Sequence, residues 1–247
     1  ISGFANNPIP SRSTSEHGSL DFVRGPLNIE AGSGDHRLLI SDYNSLVRDK
    51  NAWITDGAIT GLAVGNITYK ATGGTFDGGA REIKAIQGSR TEFEPIDSIV
   101  IWAGKHDDGI TIESVLLGDQ ESNPADADLV VTTLYANEGD DTVRVRATEA
   151  TDGSLAHEFL QENREDPEGP VIVKEARRLV IRTGKGRDVV DAASNNETDG
   201  LDLALSIHTE AHSDMVKGGD GQDIITAGDD DDIVFGGGGR DLIIDVG

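Results

Sequence analysis

A nine-residue repeat near the C-terminal end of the chain constrains its fold more than any other feature. Residues 218–244 read GGDGQDIIT, AGDDDDIVF and GGGGRDLII, which are three units without a gap. Aspartate occupies the sixth position of each unit, at Asp223, Asp232 and Asp241. A turn of six residues, in which glycine permits positive φ, followed by a short strand with a buried branched residue accounts for this order. The repeat therefore predicts an all-β parallel solenoid in which two units form one coil.

Stacking of such coils predicts a metal site made of oxygen atoms. Units 218–226 and 236–244 would lie one above the other on one edge, with unit 227–235 on the opposite edge. Carboxylates and turn carbonyls would then surround a cation, and such ligands suit Ca²⁺ better than Zn²⁺. We expect several bound Ca²⁺ ions to stabilise the fold, because stacked carboxylates without a cation repel each other. The predicted metal-binding residues of this segment are Gly218, Asp220, Asp223, Asp232, Gly236, Gly238 and Asp241.

The segment 218–244 resembles the RTX (hemolysin-type calcium-binding) repeats of secreted bacterial proteins. The resemblance implies the parallel β-roll of that family and an extracellular or cell-surface location. It also implies that the sixth-position aspartates and the turn carbonyls bind calcium. In this chain those aspartates are Asp223 and Asp241, with Asp232 on the other edge.

Looser copies of the repeat occur upstream. AGKHDDGITI places Asp108 at the sixth position, ANEGDDTVRV places Asp141 there, and TGKGRDVVDA places Asp188 there. AGSGDHRLLI has His36 at this position, so it does not predict a calcium ligand. We predict that the three aspartates bind Ca²⁺; a plain glycine turn with a solvated aspartate is the alternative at each. The predicted ladder along one edge consists of Asp108, Asp141, Asp188, Asp223 and Asp241.

The remaining sequence predicts one solenoid with long rungs. Residues 29–217 form these rungs, and residues 218–247 form the short RTX β-roll coil. Residues 1–28, rich in Pro, Ser and Asn, are predicted to be an extended arm or linker. A short helix and loop are predicted for 152–170, inserted into the longest rung. A further degenerate rung is expected within 65–95, with NITYKA and EIKAI as its strands.

Charge and composition exclude several classes of partner. The chain has 45 Asp+Glu against 21 Lys+Arg, a net charge of −24, which disfavours nucleic acids and anionic membranes and favours divalent cations. A solvated acidic surface is the alternative interpretation.

The absence of cysteine excludes disulfides and thiolate metal sites. No apolar run is long enough to predict a membrane span. Asn66 and Asn196 begin two possible glycosylation sequons.

Sequence signatures of enzymes are incomplete. HEFLQ at 157–161 has Gln161 where a zinc protease motif requires a second histidine, and no G-x-S-x-G motif occurs. His208, Glu210 and His212 stand at alternate positions and would share one strand face. They could form a zinc or copper site or be exposed polar residues.

Two functions follow as hypotheses. The first is a non-enzymatic, extracellular, calcium-dependent structural or adhesive module, such as a subunit of a cell-surface layer or a self-assembling fibre. Its partners would be calcium ions, other copies or neighbouring repeats of a longer chain, and surface polysaccharide. The alternative is the calcium-binding β-roll tail or spacer of a secreted enzyme or toxin, of the polysaccharide epimerase or lyase type.

Overall fold

The computed structural model describes residues 18–76, 80–84, 91–95, 97–116, 130–146, 179–192, 205–221 and 223–245, with only the main chain for 80–84 and 91–95. These residues contain β-strands and no helix. The first strands are β1 (Leu27–Glu30), β2 (Gly34–Asp35), β3 (Leu38–Ser41), β4 (Ala52–Ile54), β5 (Ala58–Thr60), β6 (Ile67–Lys70), β7 (Gly74–Thr75), β8 (Ala80–Lys84) and β9 (Thr91–Pro95). The strands that follow are β10 (Ile99–Trp102), β11 (Gly109–Ile112), β12 (Thr132–Tyr135), β13 (Thr142–Val145), β14 (Leu179–Lys185), β15 (Val189–Asp191), β16 (Leu205–Ala211), β17 (Met215–Lys217), β18 (Ile224–Ala227), β19 (Ile233–Phe235) and β20 (Leu242–Asp245).

Two large sheets make up the solenoid. The nine-stranded sheet has the order β1-β6-β5-β4-β11-β13-β15-β17-β19, and the seven-stranded sheet has the order β20-β18-β16-β14-β12-β10-β3. From β10 onward, successive strands alternate between the sheets, and each pairs in parallel with the equivalent strand of the next coil. The predicted all-β parallel solenoid is therefore confirmed.

The core lies between the two sheets and consists of stacked branched side chains. Alternate residues of the nine-stranded sheet point inward, as the burial of Ile110 and Ile112 in β11 and of Val143 and Val145 in β13 shows. Parallel register places the same kind of residue at the same level of every coil. One such stack in the seven-stranded sheet is Ile40, Ile101, Leu134, Ile181, Ile207, Ile225 and Ile243. Burying each side chain of this stack stabilises the fold by about 2 kcal/mol, except at Ile243, which is half exposed.

The two sides of the solenoid differ in how the sheets are connected. From β10 onward, the same number of residues lies between equivalent register positions where the chain passes from the seven-stranded to the nine-stranded sheet: 103–108, 136–141, 183–188, 209–214 and 227–232. These ranges include the last residues of β14, β16 and β18, and the earlier β3–β4 loop, 42–51, is longer. On the other side, connections of very different length lead back: 113–131, 146–178, 192–204, 218–223 and 236–241. From β10 onward, the variable spacing of the repeats thus arises on one side only.

The degenerate parallel rung expected within 65–95 is wrong. NITYKA and EIKAI do contain strands, β6 and β8, but β6 pairs antiparallel with β5 and parallel with β1, and β8 pairs antiparallel with β9. β3 pairs directly with β10, and β4 pairs directly with β11. These direct pairings leave no position for an additional coil between them.

Three further predictions concern the ends and the insertion. Residues 1–17 and the helix predicted at 152–170 lie outside the described residues, as do His157 and Gln161. Residues 18–26 form no strand and pack beside the β3–β4 loop, where Asn44 N donates to Gly18 O at 2.9 Å. Both sheets continue across residues 217–218, through the β16–β18 and β17–β19 pairs. No helix capable of crossing a membrane occurs among the described residues.

Candidate calcium site

A row of aspartates follows the side of the solenoid with equal turns. Each of them ends a turn and immediately precedes a strand of the nine-stranded sheet, except Asp49, which precedes β4 by a few residues. We call this row the aspartate ladder. Its members are Asp49, Asp108, Asp141, Asp188, Asp214 and Asp232.

Main-chain hydrogen bonds connect the rungs of the ladder. The N–H group of each aspartate donates to Oδ1 of the aspartate in the next coil, at distances such as 2.7 Å from Asp108 to Asp141 and 2.8 Å from Asp188 to Asp214. In return, the residue after the second aspartate donates its N–H to the carbonyl of the first, as Thr142 N does to Asp108 O at 2.8 Å. These reciprocal bonds fix one oxygen of every carboxylate against the neighbouring turn.

The second carboxylate oxygen of most rungs is buried without a partner. Among the described residues, Oδ2 has neither a hydrogen-bond donor nor appreciable solvent contact in Asp49, Asp141, Asp188, Asp214 and Asp232. The Thr183 hydroxyl lies beside the Asp188 carboxyl, and the Thr209 hydroxyl beside the Asp214 carboxyl, but neither is in hydrogen-bonding geometry. In Asp108, Oδ2 accepts a bond from Gly104 N at 3.1 Å. Buried acceptors without donors are costly unless a proton or a cation supplies the missing interaction.

Burial also makes these carboxylates hard to ionise without a cation. Burial raises the pKa of Asp141 to about 9, and burial with the charge of Asp108 raises the pKa of Asp49 to about 8. Burial raises the pKa of Asp214 to about 6 and moves the pKa values of Asp108 and Asp188 upward. At neutral pH a bound divalent cation would reverse these shifts, since it favours the ionised form.

The predicted ladder is correct in its upstream members and wrong in its continuation. Asp108, Asp141 and Asp188 do stack on one edge, but Asp214 and Asp232 continue the row. Asp223 and Asp241 lie on the opposite side, before β18 and β20 of the seven-stranded sheet. The reason is the alternation of strands: units 103–112, 136–145 and 183–191 contribute the second strand of their coils, whereas units 218–226 and 236–244 contribute the first.

Asp49 and Asp214 were not predicted from the sequence. Asp214 precedes Asp232 by 18 residues, which is two repeat lengths, and Val216 follows it at the position of the buried branched residue. This spacing is a signal that could have identified it, although no glycine occurs in its turn. Asp49 has no such signal, because the residues between Asp49 and β4 interrupt the pattern.

The opposite side of the last two coils has a second, shorter row of aspartates, which consists of Asp223 and Asp241. Asp223 accepts from Leu205 N through Oδ1 and from Gly219 N through Oδ2, each at 2.9 Å, and Asp223 N donates to Asp241 Oδ1 at 3.0 Å. Both oxygens of Asp223 already accept a hydrogen bond, so a cation would use its remaining lone pairs. Burial raises the pKa of Asp223 to about 6.

Glycine is required in these turns because the coils approach closely. A Cβ at Gly218 would lie 2.1 Å from Gly236 O and 2.5 Å from Asp223 Oδ2. A Cβ at Gly236 would lie 2.3 Å from Asp241 Oδ2, and one at Gly238 would lie 2.9 Å from Asp220 Oδ1. The predicted metal-binding glycines thus bring their main chain against the aspartates of the same segment.

The histidine cluster gives no metal site. His208 Nε2 lies 2.8 Å from Ser206 Oγ, and His212 has positive φ with Nδ1 2.8 Å from Ala211 O. Within the described ranges, no three His, Cys, Asp or Glu side chains form a preformed metal site. A calcium site among these residues would therefore combine one or two carboxylates with main-chain carbonyls.

Comparison with protein families decides the nature of the C-terminal segment. The family profile of the RTX calcium-binding nonapeptide repeat, in four copies, matches residues 208–243. Residues 208–243 are RTX repeats. The matched range extends upstream of the three units visible by eye and includes Asp214. Searches of curated proteins and of solved structures found no match.

RTX repeats bind calcium, and the geometry fits this ion. In the RTX segment Asp214 and Asp232 each present a buried Oδ2 without a donor, and Asp223 and Asp241 face turns that only glycine can form. Apart from the exposed His212, whose Nδ1 lies 2.8 Å from Ala211 O, the described ligand groups of these turns are oxygen atoms, which Ca²⁺ prefers. The assignment of individual ligands to Asp220, Asp223, Asp232, Asp241 and the turn glycines stays a prediction.

Proposed function

We propose that the chain is an extracellular structural or adhesive module without enzymatic activity, whose folded state and self-association depend on calcium. We further propose that its calcium sites extend upstream of the RTX segment along the aspartate ladder, to Asp188, Asp141 and Asp108. The observation that carries this proposal is the continuity of the ladder, whose hydrogen bonds are the same inside and outside the RTX segment.

The ladder supports a load-bearing role because it connects every coil to the next. Residues 47 positions apart, such as Asp141 and Asp188, are joined as closely as residues 18 positions apart. Cations between the rungs would convert a repulsive row of carboxylates into a cross-linked rim. RTX repeats are typical of secreted proteins, and calcium is abundant outside cells.

The last coil supports association with a further coil. β19 and β20 are the terminal strands of their sheets at this end, and no described strand pairs with their outer edges. Ile243 continues the aliphatic stack yet is 46% exposed, whereas Ile225 one coil earlier is fully buried. Exposed strand edges next to apolar side chains favour pairing with another strand. We infer that a second copy, or further coils of a longer polypeptide, covers this end.

Sedimentation and particle imaging in calcium test the proposal. We expect particles larger than one chain in calcium and loss of these particles in chelator. Ile243→Lys should abolish association, because a buried lysine at the interface is costly. Val64→Lys is the matched control: Val64 is 74% exposed and lies far from this end in the chain, so association should persist. Monomers in calcium at all concentrations would contradict self-association of this chain.

An activity screen on acidic polysaccharides tests the alternative. Turnover by the pure chain would support an enzyme of the epimerase or lyase type and overturn the structural role.

Glycosylation of the two sequons stays a prediction. Asn66 is exposed, and mass spectrometry of secreted material can check whether it is glycosylated; Asn196 lies outside the described residues.

A further inference from the structure

The loop between β3 and β4 contains a buried acidic pair that the RTX pattern does not explain. Residues 42–51 read DYNSLVRDKN, without glycine and far from the matched segment 208–243. Asp42 is fully buried in this loop, and Ser45 and Asp49 are 3% and 8% exposed. Polar side chains this deeply buried require partners.

The carboxyl groups of Asp42 and Asp49 face each other. They lie within hydrogen-bonding reach, and the Ser45 hydroxyl lies beside Asp42, yet Oδ2 of each carboxyl has no donor in hydrogen-bonding geometry among the described residues. Oδ1 of Asp42 accepts from Leu20 N, and that of Asp108 accepts from Asp49 N at 2.7 Å. Ionised carboxylates only accept hydrogen bonds, so the facing pair requires a shared proton or a cation between its oxygens.

The surroundings favour a cation over a shared proton. Asp21 and Asp108 add further negative charge beside Asp49. In the described part of the chain, no Lys or Arg forms an ion pair with either member; the neighbouring Arg48 pairs with Asp107, and Lys105 lies over the Tyr43 ring. The charge of the pair is thus not compensated by an ion pair among the described residues.

We propose that Asp42 and Asp49 bind a divalent cation at the start of the solenoid, at a site separate from the RTX turns. The loop 42–51 contains neither His nor Cys, so its carboxylate and carbonyl oxygens select a hard ion, and Ca²⁺ fits best. Two carboxylates contribute to the site, and main-chain carbonyls and water complete the coordination. This inference does not depend on the self-association proposed above.

The site would fasten three parts of the molecule together. Leu20 and Asp21 bind the loop through Asp42 Oδ1 and through Ser45 Oγ, which donates to Asp21 Oδ1 at 2.7 Å. Asp49 connects the same loop to Asp108, the next rung of the ladder. A cation here would therefore hold residues 18–24 and the loop against the first coil.

Equilibrium dialysis with calcium on the full chain tests the site. We expect Asp42→Asn to bind one ion fewer than the wild type and Asp35→Asn, an equal charge change at an exposed residue, to bind the same number. Asp223→Asn serves as a comparison, because it should affect the RTX segment while leaving the Asp42–Asp49 site intact. Calcium should slow tryptic cleavage after the exposed Arg48 in the wild type and not in Asp42→Asn.

A second measurement avoids any effect of the substitution on folding. Tyr43 is adjacent to Asp42, so terbium bound at the pair should emit on tyrosine excitation, and Tyr43→Phe should reduce this emission while leaving both carboxylates in place. Unchanged calcium stoichiometry in Asp42→Asn, or unchanged terbium emission in Tyr43→Phe, would overturn the proposal and indicate a shared proton.

Discussion

The main-chain nitrogen of Asp141 donates a 2.8 Å hydrogen bond to Oδ1 of Asp188, 47 residues further along the chain. The same bond recurs from rung to rung, and it leaves Oδ2 of both residues buried without a donor. Each rung thus combines a satisfied oxygen that builds the fold with an unsatisfied oxygen that a cation can contact. Substitution, pH and chelation experiments can separate the structural role of Oδ1 from the cation-binding role of Oδ2.

Asp141→Asn should have opposite effects with and without calcium. Asparagine retains the Oδ1 acceptor for Asp108 N but removes the charge. The pKa of Asp141 is raised to about 9, so at pH 7 the metal-free fold must keep a proton that the unfolded chain releases. In chelator the variant should therefore be more stable by a few kcal/mol, since each pKa unit corresponds to about 1.4 kcal/mol. In calcium the wild type should be the more stable protein.

Urea denaturation with and without calcium measures this reversal. Asp140→Asn is the matched control, because Asp140 is exposed and also keeps an Oδ1 acceptor, for Arg187 N. Its stability should change little in either condition. The ladder interpretation fails if Asp141→Asn shifts stability in the same direction with and without calcium.

The metal-free protein should become less stable as the pH rises from about 4 to 9. The pKa values of Asp49, Asp141, Asp214 and Asp223 are raised above the ordinary value, to between about 6 and 9. The folded state therefore binds more protons than the unfolded state in this range, and stability is complete below pH 4 and falls as these groups lose their protons. Calcium should reverse the trend, because the ion competes with protons.

Melting temperatures in chelator and in calcium, from pH 4.5 to 9, measure both trends. Calcium binding at pH 7 should also release protons, which titration calorimetry in buffers of different ionisation enthalpy detects. A metal-free protein that gains stability toward pH 9 would contradict the raised pKa values.

Chelation at neutral pH should reduce the β-sheet signal in circular dichroism. Without cations, the net charge of −24 and the stacked carboxylates oppose the compact state. Adding calcium back should restore the signal, whereas magnesium should restore it poorly because it demands near-octahedral coordination. Chelated protein with an undiminished spectrum and melting temperature would show that the ladder needs no metal.

Gly218→Ala should disrupt the last coils and weaken calcium binding there. A Cβ at this position would meet the main-chain Gly236 O at 2.1 Å and the side-chain Asp223 Oδ2 at 2.5 Å, while Gly218 N is held by its 2.8 Å hydrogen bond to Phe235 O. We expect destabilisation of roughly 1–3 kcal/mol, typical of overpacking. Gly25→Ala is the control, because no atom lies within 4 Å of a Cβ there. Equal melting temperatures for the two variants would contradict the close approach.

Local repeats were predictable from sequence because they are set by neighbouring residues. The glycine turn, the aspartate and the buried branched residue lie within one unit, and so the strands after Asp108, Asp141 and Asp188 were predicted correctly. Pairing of coils in parallel follows from the same pattern, since identical units bury identical faces.

The side of the solenoid on which each aspartate lies was not predictable in the same way. It depends on whether a unit supplies the first or the second strand of its coil, and the sequences that precede the first strands β10 and β12, residues 91–98 and 119–131, contain no glycine. Connections of different length separate the units, so spacing does not reveal the side. The Asp42–Asp49 pair lacks any motif, because residues of the β3–β4 loop meet only through tertiary packing.

The unequal connections of the two sides determine where this scaffold tolerates added sequence. A single extra residue between Asn137 and Asp141 would displace one rung relative to Asp108 and Asp188 and break reciprocal bonds in two directions. Connections such as 146–178 already differ greatly in length from their neighbours without changing strand register. Foreign peptides grafted into the connections on that side would therefore be displayed in a row, at intervals set by the strand spacing. The hydrogen bonds of the aspartate ladder on the other side of the solenoid would remain intact.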